Sequence, residues 1–184
     1  MTIIIVDAGH GPNTLGKRSP DGKLREFTFN NAVAHELKQL LVRKHIQVVF
    51  THESLRDVPL AERVRKANAT GGKAFISIHA NAFTSNWHAA NGIETYVKKN
   101  ATLGELNLAT LVQKGLTKQT GLRNRGVKRE NFYVLKHTVM PAILVECGFM
   151  TNRHEAKLLA TTSYQKLCAN SIAVDILKWL KQKN

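Results

Sequence analysis

Residues 2–11 of the chain read TIIIVDAGHG. The β-branched run Ile3-Ile4-Ile5-Val6 predicts a β-strand. It leads directly into Asp7-Ala8-Gly9-His10-Gly11, where the glycines that flank His10 permit a tight turn and close approach of the backbone to a bound group. We therefore expect a strand that delivers a histidine at its carboxyl end.

Short strand-like runs alternate with longer amphipathic stretches along the rest of the chain. Further strands are predicted at 46–50, 74–78, 93–97, 133–135 and 142–145. Helices are predicted around 29–40, 60–67 and 108–115, in a stretch opened by the capping pattern of Asn152 and Glu155, and over 164–179. This alternation predicts an α/β fold, a three-layer sandwich whose central, mostly parallel or mixed sheet of about six strands carries helices on both faces.

The composition is that of one globular domain. The chain has 184 residues, of which 43% are hydrophobic and 22% are charged, and it shows no internal repeat or linker. We expect a single domain over 1–184. Cys147 and Cys168 lack the CxxC spacing, so neither a disulfide framework nor a cysteine zinc site is indicated.

The charge is strongly positive, with 27 Lys and Arg residues against 13 Asp and Glu residues and a net charge of +14. Such a field favours encounter with an anionic nucleic acid, membrane or cell wall. The basic residues are scattered, without interleaved aromatic residues or a recognition helix, so we expect no nucleic-acid partner. No apolar run approaches the ~20 residues of a membrane span, and the N-terminus shows no signal-peptide pattern.

Titratable side chains follow three of the predicted strands. His10 follows the first strand, His79 follows Phe75-Ile76-Ser77-Ile78, and Glu146 follows Ile143-Leu144-Val145. Open α/β sheets bind ligands beyond the carboxyl ends of their strands, which makes these side chains candidates for a site. Glu26 is a fourth candidate, because the helical phase of the following residues turns it inward at the start of the first long helix.

Each candidate also has a structural interpretation. A histidine at a strand end is commonly a satisfied core or loop residue, and Glu26 in a first helical turn could serve only to complement the helix dipole. Glu146 is harder to explain in this way, because a buried carboxylate without a partner costs several kcal/mol. It requires a cation, a hydrogen-bond network or a catalytic role.

Two histidines and one carboxylate form a typical ligand set for catalytic zinc, which leaves a fourth position for water. With His10, Glu26 and His79 as ligands of one Zn²⁺, Glu146 becomes the catalytic base of an amide hydrolase. Asp7 could hydrogen-bond a ligand histidine from behind, or could cap the loop backbone instead.

The order and surroundings of these residues carry a resemblance to a known family. The matching stretches are VDAGHG at 6–11, REFTFNNAVAHELKQLL at 25–41, ISIHANAF at 76–83, NGIETYV at 91–97 and PAILVECGFMTN at 141–152. They resemble the zinc-dependent type 3 family of N-acetylmuramoyl-L-alanine amidases, which includes phage lysins and bacterial autolysins.

The resemblance implies that His10, Glu26 and His79 bind zinc and that Glu146 is catalytic. It further implies hydrolysis of the peptidoglycan amide bond between the lactyl group of N-acetylmuramic acid and L-alanine. The loop 12–23 departs from the usual family pattern, and only a short connection follows Asn81. We therefore expect an open site, with no wall-binding module in the chain.

Other functions use some of the same residues. A zinc peptidase or carboxypeptidase would need a clamp for a free terminus, for which Arg123 or Arg125 could serve. A cysteine hydrolase would use Cys147, whose side chain should point away from that of Glu146. A basic wall-binding or nucleic-acid-binding module without catalysis would have no need for an unpaired Glu146.

Substrate contacts are the least determined by the sequence, and Asn81, Arg123 and Arg125 are the candidates. The expected partners are peptidoglycan and an anionic cell wall, and we expect a monomer. The enzyme would act at the bacterial cell wall, either after cytoplasmic synthesis and release at lysis or after removal of a signal sequence.

Overall fold

The computed structural model describes residues 1–53 and 56–182. The strands of this part are β1 (Ile3–Ala8), β2 (Gln47–Phe50), β3 (Ala74–Asn81), β4 (Ile93–Val97), β5 (Asn124–Arg129) and β6 (Ala142–Phe149). They form one sheet in the order β2-β1-β3-β6-β4-β5. Every neighbouring pair is parallel except β4 and β6, which run antiparallel. The predicted mixed sheet of about six strands is therefore confirmed.

Helices cover both faces of this sheet. They are α1 (Glu26–Val42), α2 (Leu60–Asn68), α3 (Leu103–Thr120), α4 (Tyr133–His137), α5 (Arg153–Leu159) and α6 (Thr162–Gln182). The larger core joins α1, α3 and α6 to one face, whereas α2 and α4 pack on the other. Alternate strand residues supply the two cores, since Ile4 and Val6 face α1 while Ile5 faces α2. The predicted three-layer sandwich is confirmed.

One predicted strand is wrong and one strand was not predicted. Residues 133–135 belong to the short helix α4, in which Val134 and Leu135 are buried against α2. The strand that was not predicted is β5, with the sequence NRGVKR. It lies at the edge of the sheet and pairs with β4. Exposed edge strands tolerate charged residues and glycine, so β5 lacks the apolar pattern by which interior strands are recognised.

The capping pattern at Asn152 and Glu155 is confirmed in part. The Asn152 side chain accepts hydrogen bonds from the backbone N–H groups of His154 and Glu155, as expected at a helix N-cap. The Glu155 carboxylate accepts the backbone N–H groups of Gly92 and Phe149 instead, each at 2.7 Å. Glu155 thus ties α5 to the approach to β4 and to the end of β6.

Within the described residues, none of the helices combines the length and apolar character required to cross a bilayer.

Candidate metal centre

The candidate site lies at the carboxyl edge of the three central parallel strands. β1, β3 and β6 are adjacent, and His79 in β3 lies directly opposite Glu146 in β6. His10 follows the end of β1, where the backbone N–H of Gly9 donates to the carbonyl of Ile78 at 2.9 Å. The three strand-end side chains predicted to converge therefore do so.

Glu26 joins the two histidines. It is the first residue of α1, it is 3% exposed, and its two carboxylate oxygens point in different directions. Oε1 lies 2.8 Å from Nδ1 of His79, and Oε2 lies 3.1 Å from Nε2 of His10. One ligand atom from each of the three side chains lies within 4.8 Å of the others, as a shared metal ion would require.

These contacts shift the pKa values of the cluster. Burial alone would raise the pKa of Glu26, but the hydrogen bonds with His10 and His79 outweigh it and hold that pKa well below its ordinary value. Burial alone would lower the pKa of His79, but the hydrogen bond and the charge of Glu26 raise it. Glu26 is therefore ionised over the physiological pH range, and an ionised carboxylate is the form that binds a cation.

The backbone of the GHG turn is shaped around this cluster. His10 adopts the left-handed conformation at φ 63°, which is uncommon for a residue with a side chain. A Cβ atom on Gly9 would lie 2.2 Å from Cε1 of the His79 ring, so only glycine leaves space for that ring. Asn30, one turn beyond Glu26, donates from Nδ2 to the carbonyl of Gly9 at 3.0 Å. The turn and the start of α1 are thereby joined.

Behind the turn lies a buried ion pair that the sequence did not predict. Arg63 of α2 donates to the backbone carbonyls of Val58, Ala8 and His10 and to the carboxylate of Asp7. Asp7 also accepts hydrogen bonds from the hydroxyl groups of Thr51 and Ser77, at 2.6 and 2.7 Å. A hydrogen bond to a ligand histidine, one of the two interpretations of Asp7, is not among its contacts in the described part of the chain. Asp7 instead orients Arg63, which holds the carbonyl of His10.

Glu146 faces the same site without a hydrogen-bond partner. Its Oε2 atom is buried and has no partner in the described part of the chain. Burial raises the pKa of this carboxyl to about 8, and the nearby charges of Glu26 and Glu94 add to the shift. A carboxyl group with these properties can both accept and donate a proton near neutral pH.

These side chains open into a cleft with a volume of about 680 Å³. His10, Glu26, His79 and Glu146 line its floor. Its walls come from the turn region, from the start of α2 and from α4, and they include the lining residues Thr14, Lys17, Asp57, Val58, Pro59, Leu60, Asn81, Phe132, Tyr133 and Leu144. The volume falls within the range of small-molecule and peptide sites.

Glu94 is a second buried carboxylate beside the site, and it was not singled out from the sequence. It lies opposite Glu146 in the antiparallel pair of β4 and β6 and is 2% exposed. Its oxygens accept Asn81 Nδ2 at 2.5 Å, the Tyr96 hydroxyl at 2.9 Å, Arg125 Nε at 2.7 Å and the Lys128 ammonium. Burial alone would raise the pKa of Glu94, but the hydrogen bonds from Lys128 and Arg125 outweigh burial and hold this pKa below its ordinary value.

The three substrate-contact candidates are placed differently. Asn81 lines the cleft, and its amide donates a hydrogen bond to Glu94. Arg125 is bound to Glu94, and neither Arg125 nor Arg123 lines the cleft. In the sequence, Glu94 lies within the family-like stretch NGIETYV and two residues before Tyr96, which puts both side chains on one face of β4.

Cys147 lies on the opposite side of β6 from Glu146, as the alternation of the strand predicts. It is fully buried in the larger core and does not line the cleft. A hydrogen bond with Cys168 and burial raise the pKa of its thiol well above the ordinary value. A thiol in this state is a poor nucleophile, which disfavours the cysteine hydrolase.

Two histidines and one carboxylate that could hold a metal ion, with an unpaired carboxyl at the same edge of an α/β sheet, are typical of a class of metal-dependent hydrolases. The sequence pattern of one such family, Amidase_3, described as N-acetylmuramoyl-L-alanine amidase, matches residues 4–178. The chain therefore belongs to this family, and the predicted enzyme class is confirmed.

Individual relatives agree with this assignment. The chain is 30% identical over 166 residues to the N-acetylmuramoyl-L-alanine amidase CwlM of Bacillus licheniformis, covering 89% of this chain and 63% of CwlM. Its structure is similar to the crystal structure of an N-acetylmuramoyl-L-alanine amidase from Clostridium difficile 630, with a TM-score of 0.93 and 34% identity over 100% of this chain and 98% of that one.

A third relative was solved together with a partner. The CwlD amidase from Clostridioides difficile, in complex with the GerS lipoprotein, gives a TM-score of 0.91 and 29% identity over 98% of this chain and 99% of that chain. These likenesses confirm the fold over the length of the chain.

Proposed function

We propose that the chain is a zinc-dependent N-acetylmuramoyl-L-alanine amidase that holds one Zn²⁺ ion with His10, Glu26 and His79. The observation that carries the proposal is the spacing of their ligand atoms, all within 4.8 Å of one another. Two imidazole nitrogens and one ionised carboxylate oxygen suit zinc, and they leave a coordination position for water. When bound, zinc would supply Lewis acidity and lower the pKa of that water to about 7.

Glu146 is the proposed proton carrier. Its unpaired Oε2 atom and its raised pKa, about 8, suit a group that takes a proton from the attacking water. The same carboxyl would then donate the proton to the nitrogen of the leaving amine. Two observations support this role: Glu146 lies opposite His79 in the β3 and β6 register, and the cluster of candidate ligand atoms consists of His10, Glu26 and His79.

The bond proposed for cleavage is the amide between the lactyl group of N-acetylmuramic acid and L-alanine in peptidoglycan. The likeness to CwlM and to the protein from Clostridium difficile 630, both N-acetylmuramoyl-L-alanine amidases, supports this bond. The net charge of +14 supports action at an anionic cell wall, where it would raise the local concentration of the enzyme. We further propose that the enzyme acts as a monomer and as one catalytic domain.

A zinc peptidase on the same scaffold is the alternative. It would need a cation in the cleft to fix a free carboxylate terminus. The two arginines considered for that role lie outside the cleft lining, whereas Lys17 lines it, so this requirement does not separate the two functions. The bond specificity therefore separates the two functions. An amidase releases peptides that begin with L-alanine from intact glycan strands, whereas a peptidase cuts within the stem peptide.

The experiment combines metal analysis with digestion of purified peptidoglycan. We expect about one zinc ion per chain and release of peptides with a new alanine N-terminus. Both should disappear after chelation, and activity should return when zinc is added. Full activity of the chelated protein would exclude the zinc mechanism, and new termini other than alanine would exclude the amidase.

A further inference from the structure

Lys17 and Arg63 both line the cleft, and they differ in whether their charged groups are already bound by the described part of the chain. Arg63 is buried and donates to four acceptors of its own chain. Lys17 is exposed, and within residues 1–53 and 56–182 its ammonium has neither a hydrogen-bond nor an ion-pair partner. The Lys17 ammonium is thus free to bind an anionic group that enters the cleft.

The backbone of Lys17 is held in place by the metal centre itself. The backbone N–H of Glu26 donates to the backbone carbonyl of Lys17 at 3.0 Å, so the main chain of the lysine is hydrogen-bonded to that of a proposed zinc ligand. The next residue, Arg18, forms an antiparallel bridge with Arg25. Ser19 then accepts the backbone N–H of Leu24 at its hydroxyl oxygen and donates its own N–H to the Leu24 carbonyl. This loop is the part of the chain that departs from the usual family pattern.

The Lys17 ammonium also lies within electrostatic reach of the proposed base. Burial is the main influence on the pKa of Glu146, and the charge of Lys17 is among the smaller influences that lower it. Because Lys17 and Glu146 line the same cleft, a group bound by Lys17 would belong to the part of the substrate near the bond that is cut. The part of the substrate near that bond that carries negative charge is the stem peptide.

The stem peptide carries free carboxylates a short distance from the scissile amide. Its second residue is a glutamate joined through the side-chain carboxyl, which leaves the α-carboxylate free unless it is amidated. A diamino acid at the third position can carry a further carboxylate. We propose that Lys17 binds a free carboxylate of the stem peptide and makes the enzyme prefer stems in which this group is not amidated. This inference rests on the proposed function.

The test uses paired soluble N-acetylmuramoyl tripeptides that differ only in glutamate or isoglutamine at the second position. A second pair differs only in a diaminopimelate or a lysine at the third position, which distinguishes the two sources of the carboxylate. The proteins are the zinc-loaded chain, Lys17→Met, Lys17→Arg and Lys23→Met. Lys23 is the matched control, because it is an exposed lysine of the same loop that does not line the cleft.

We expect Lys17→Met to lower kcat/KM about three- to tenfold on the carboxylate form of one pair, mainly through KM, as for a partly exposed charged hydrogen bond. Its activity on the matching form without that carboxylate should fall much less. Lys17→Arg should retain most of the preference, and Lys23→Met should match the unaltered protein. Equal effects of Lys17→Met on both members of each pair, or no effect, would overturn the proposal.

Failure of the proposed function has a different signature. If the unaltered protein cleaves none of the tripeptides, the amidase is excluded, and binding of the same uncut peptides is then measured by calorimetry. A Lys17→Met variant that binds the carboxylate forms more weakly still supports the role of Lys17, whereas equal binding by both proteins overturns it.

Discussion

Two buried carboxylates flank Glu146, and their surroundings differ in chemistry. Glu26 contacts two histidine rings, which can give up their protons to a metal ion. Glu94 contacts Arg125 and Lys128, whose positive charge is permanent under physiological conditions. The first cluster can exchange protons for a metal ion, whereas the second is already neutralised by the protein.

The difference explains how three carboxyl groups can share one region. Clustered carboxylates repel one another and normally force at least one to hold a proton. Glu26 and Glu94 each have partners that keep them ionised, and the remaining group, Glu146, has a buried oxygen without a partner. This arrangement is consistent with the proposed roles, in which Glu26 binds the metal ion and Glu146 transfers the proton.

The largest expected effect is on turnover. Glu146→Gln should lower kcat by about 10²- to 10⁴-fold, since an amide cannot accept the proton of the attacking water. Its zinc content should equal that of the unaltered protein. Steady-state kinetics and elemental analysis of the same sample check both parts, and a variant with normal turnover would rule out this role for Glu146.

A large effect on metal affinity is expected from Gly9→Ala. The added Cβ atom would lie 2.2 Å from the His79 ring, so the ring must move away from Glu26. We expect a fall in zinc affinity of about 10- to 100-fold, similar to the loss of a group that orients a ligand. Competition with a chelator of known affinity measures this change. Unchanged affinity would mean that the position of the His79 ring is not critical for metal binding.

The second cluster should affect stability more than metal binding. Glu94→Ala removes the shared partner of Arg125 and Lys128, and we expect the free energy of unfolding to fall by about 1–3 kcal/mol. Zinc content should not change. Urea denaturation of the metal-free protein gives the stability. A variant that keeps its stability but loses zinc would show that the two clusters are not separate in function.

A smaller effect is expected in the pH dependence of the metal-free protein. The pKa of Glu146 is raised from 4.5 to about 8 by burial, so the folded chain holds this proton more tightly than the unfolded chain. The stability contribution of Glu146 should therefore fall as the pH rises from about 4.5 to about 8. Denaturation of the unaltered protein and of Glu146→Gln is measured across this pH range. The difference between the two stability curves gives the contribution of Glu146, because the glutamine cannot titrate. Parallel stability curves would contradict the raised pKa.

Much of the fold and site follows from local patterns. The interior strands β1, β3 and β6 are recognisable because their apolar runs are continuous, and each ends at a candidate side chain. Glu26 was open to two interpretations from spacing alone. The contacts of both of its oxygens with the histidines favour the role of a metal ligand, which remains a prediction.

The remaining features depend on contacts between distant parts of the chain. Arg63 lies in a basic helix and looks solvated in sequence, yet it is buried because Asp7 and three backbone carbonyls surround it. Residues 133–135 are apolar enough for a strand, but they form a helix in which Val134 and Leu135 are buried against α2. Neither outcome can be deduced from periodicity, because each is decided by which partner is available in space.

The most direct test of the metal centre is a zinc titration of the chelated protein, with release of alanine-terminated peptide measured at each addition. We predict that activity rises linearly and reaches its plateau at about one zinc ion per chain. Glu26→Ala should bind zinc weakly and show no such plateau. Full activity before any zinc is added, or an identical titration for Glu26→Ala, would contradict the assignment of His10, Glu26 and His79 as the ligands of a catalytic ion.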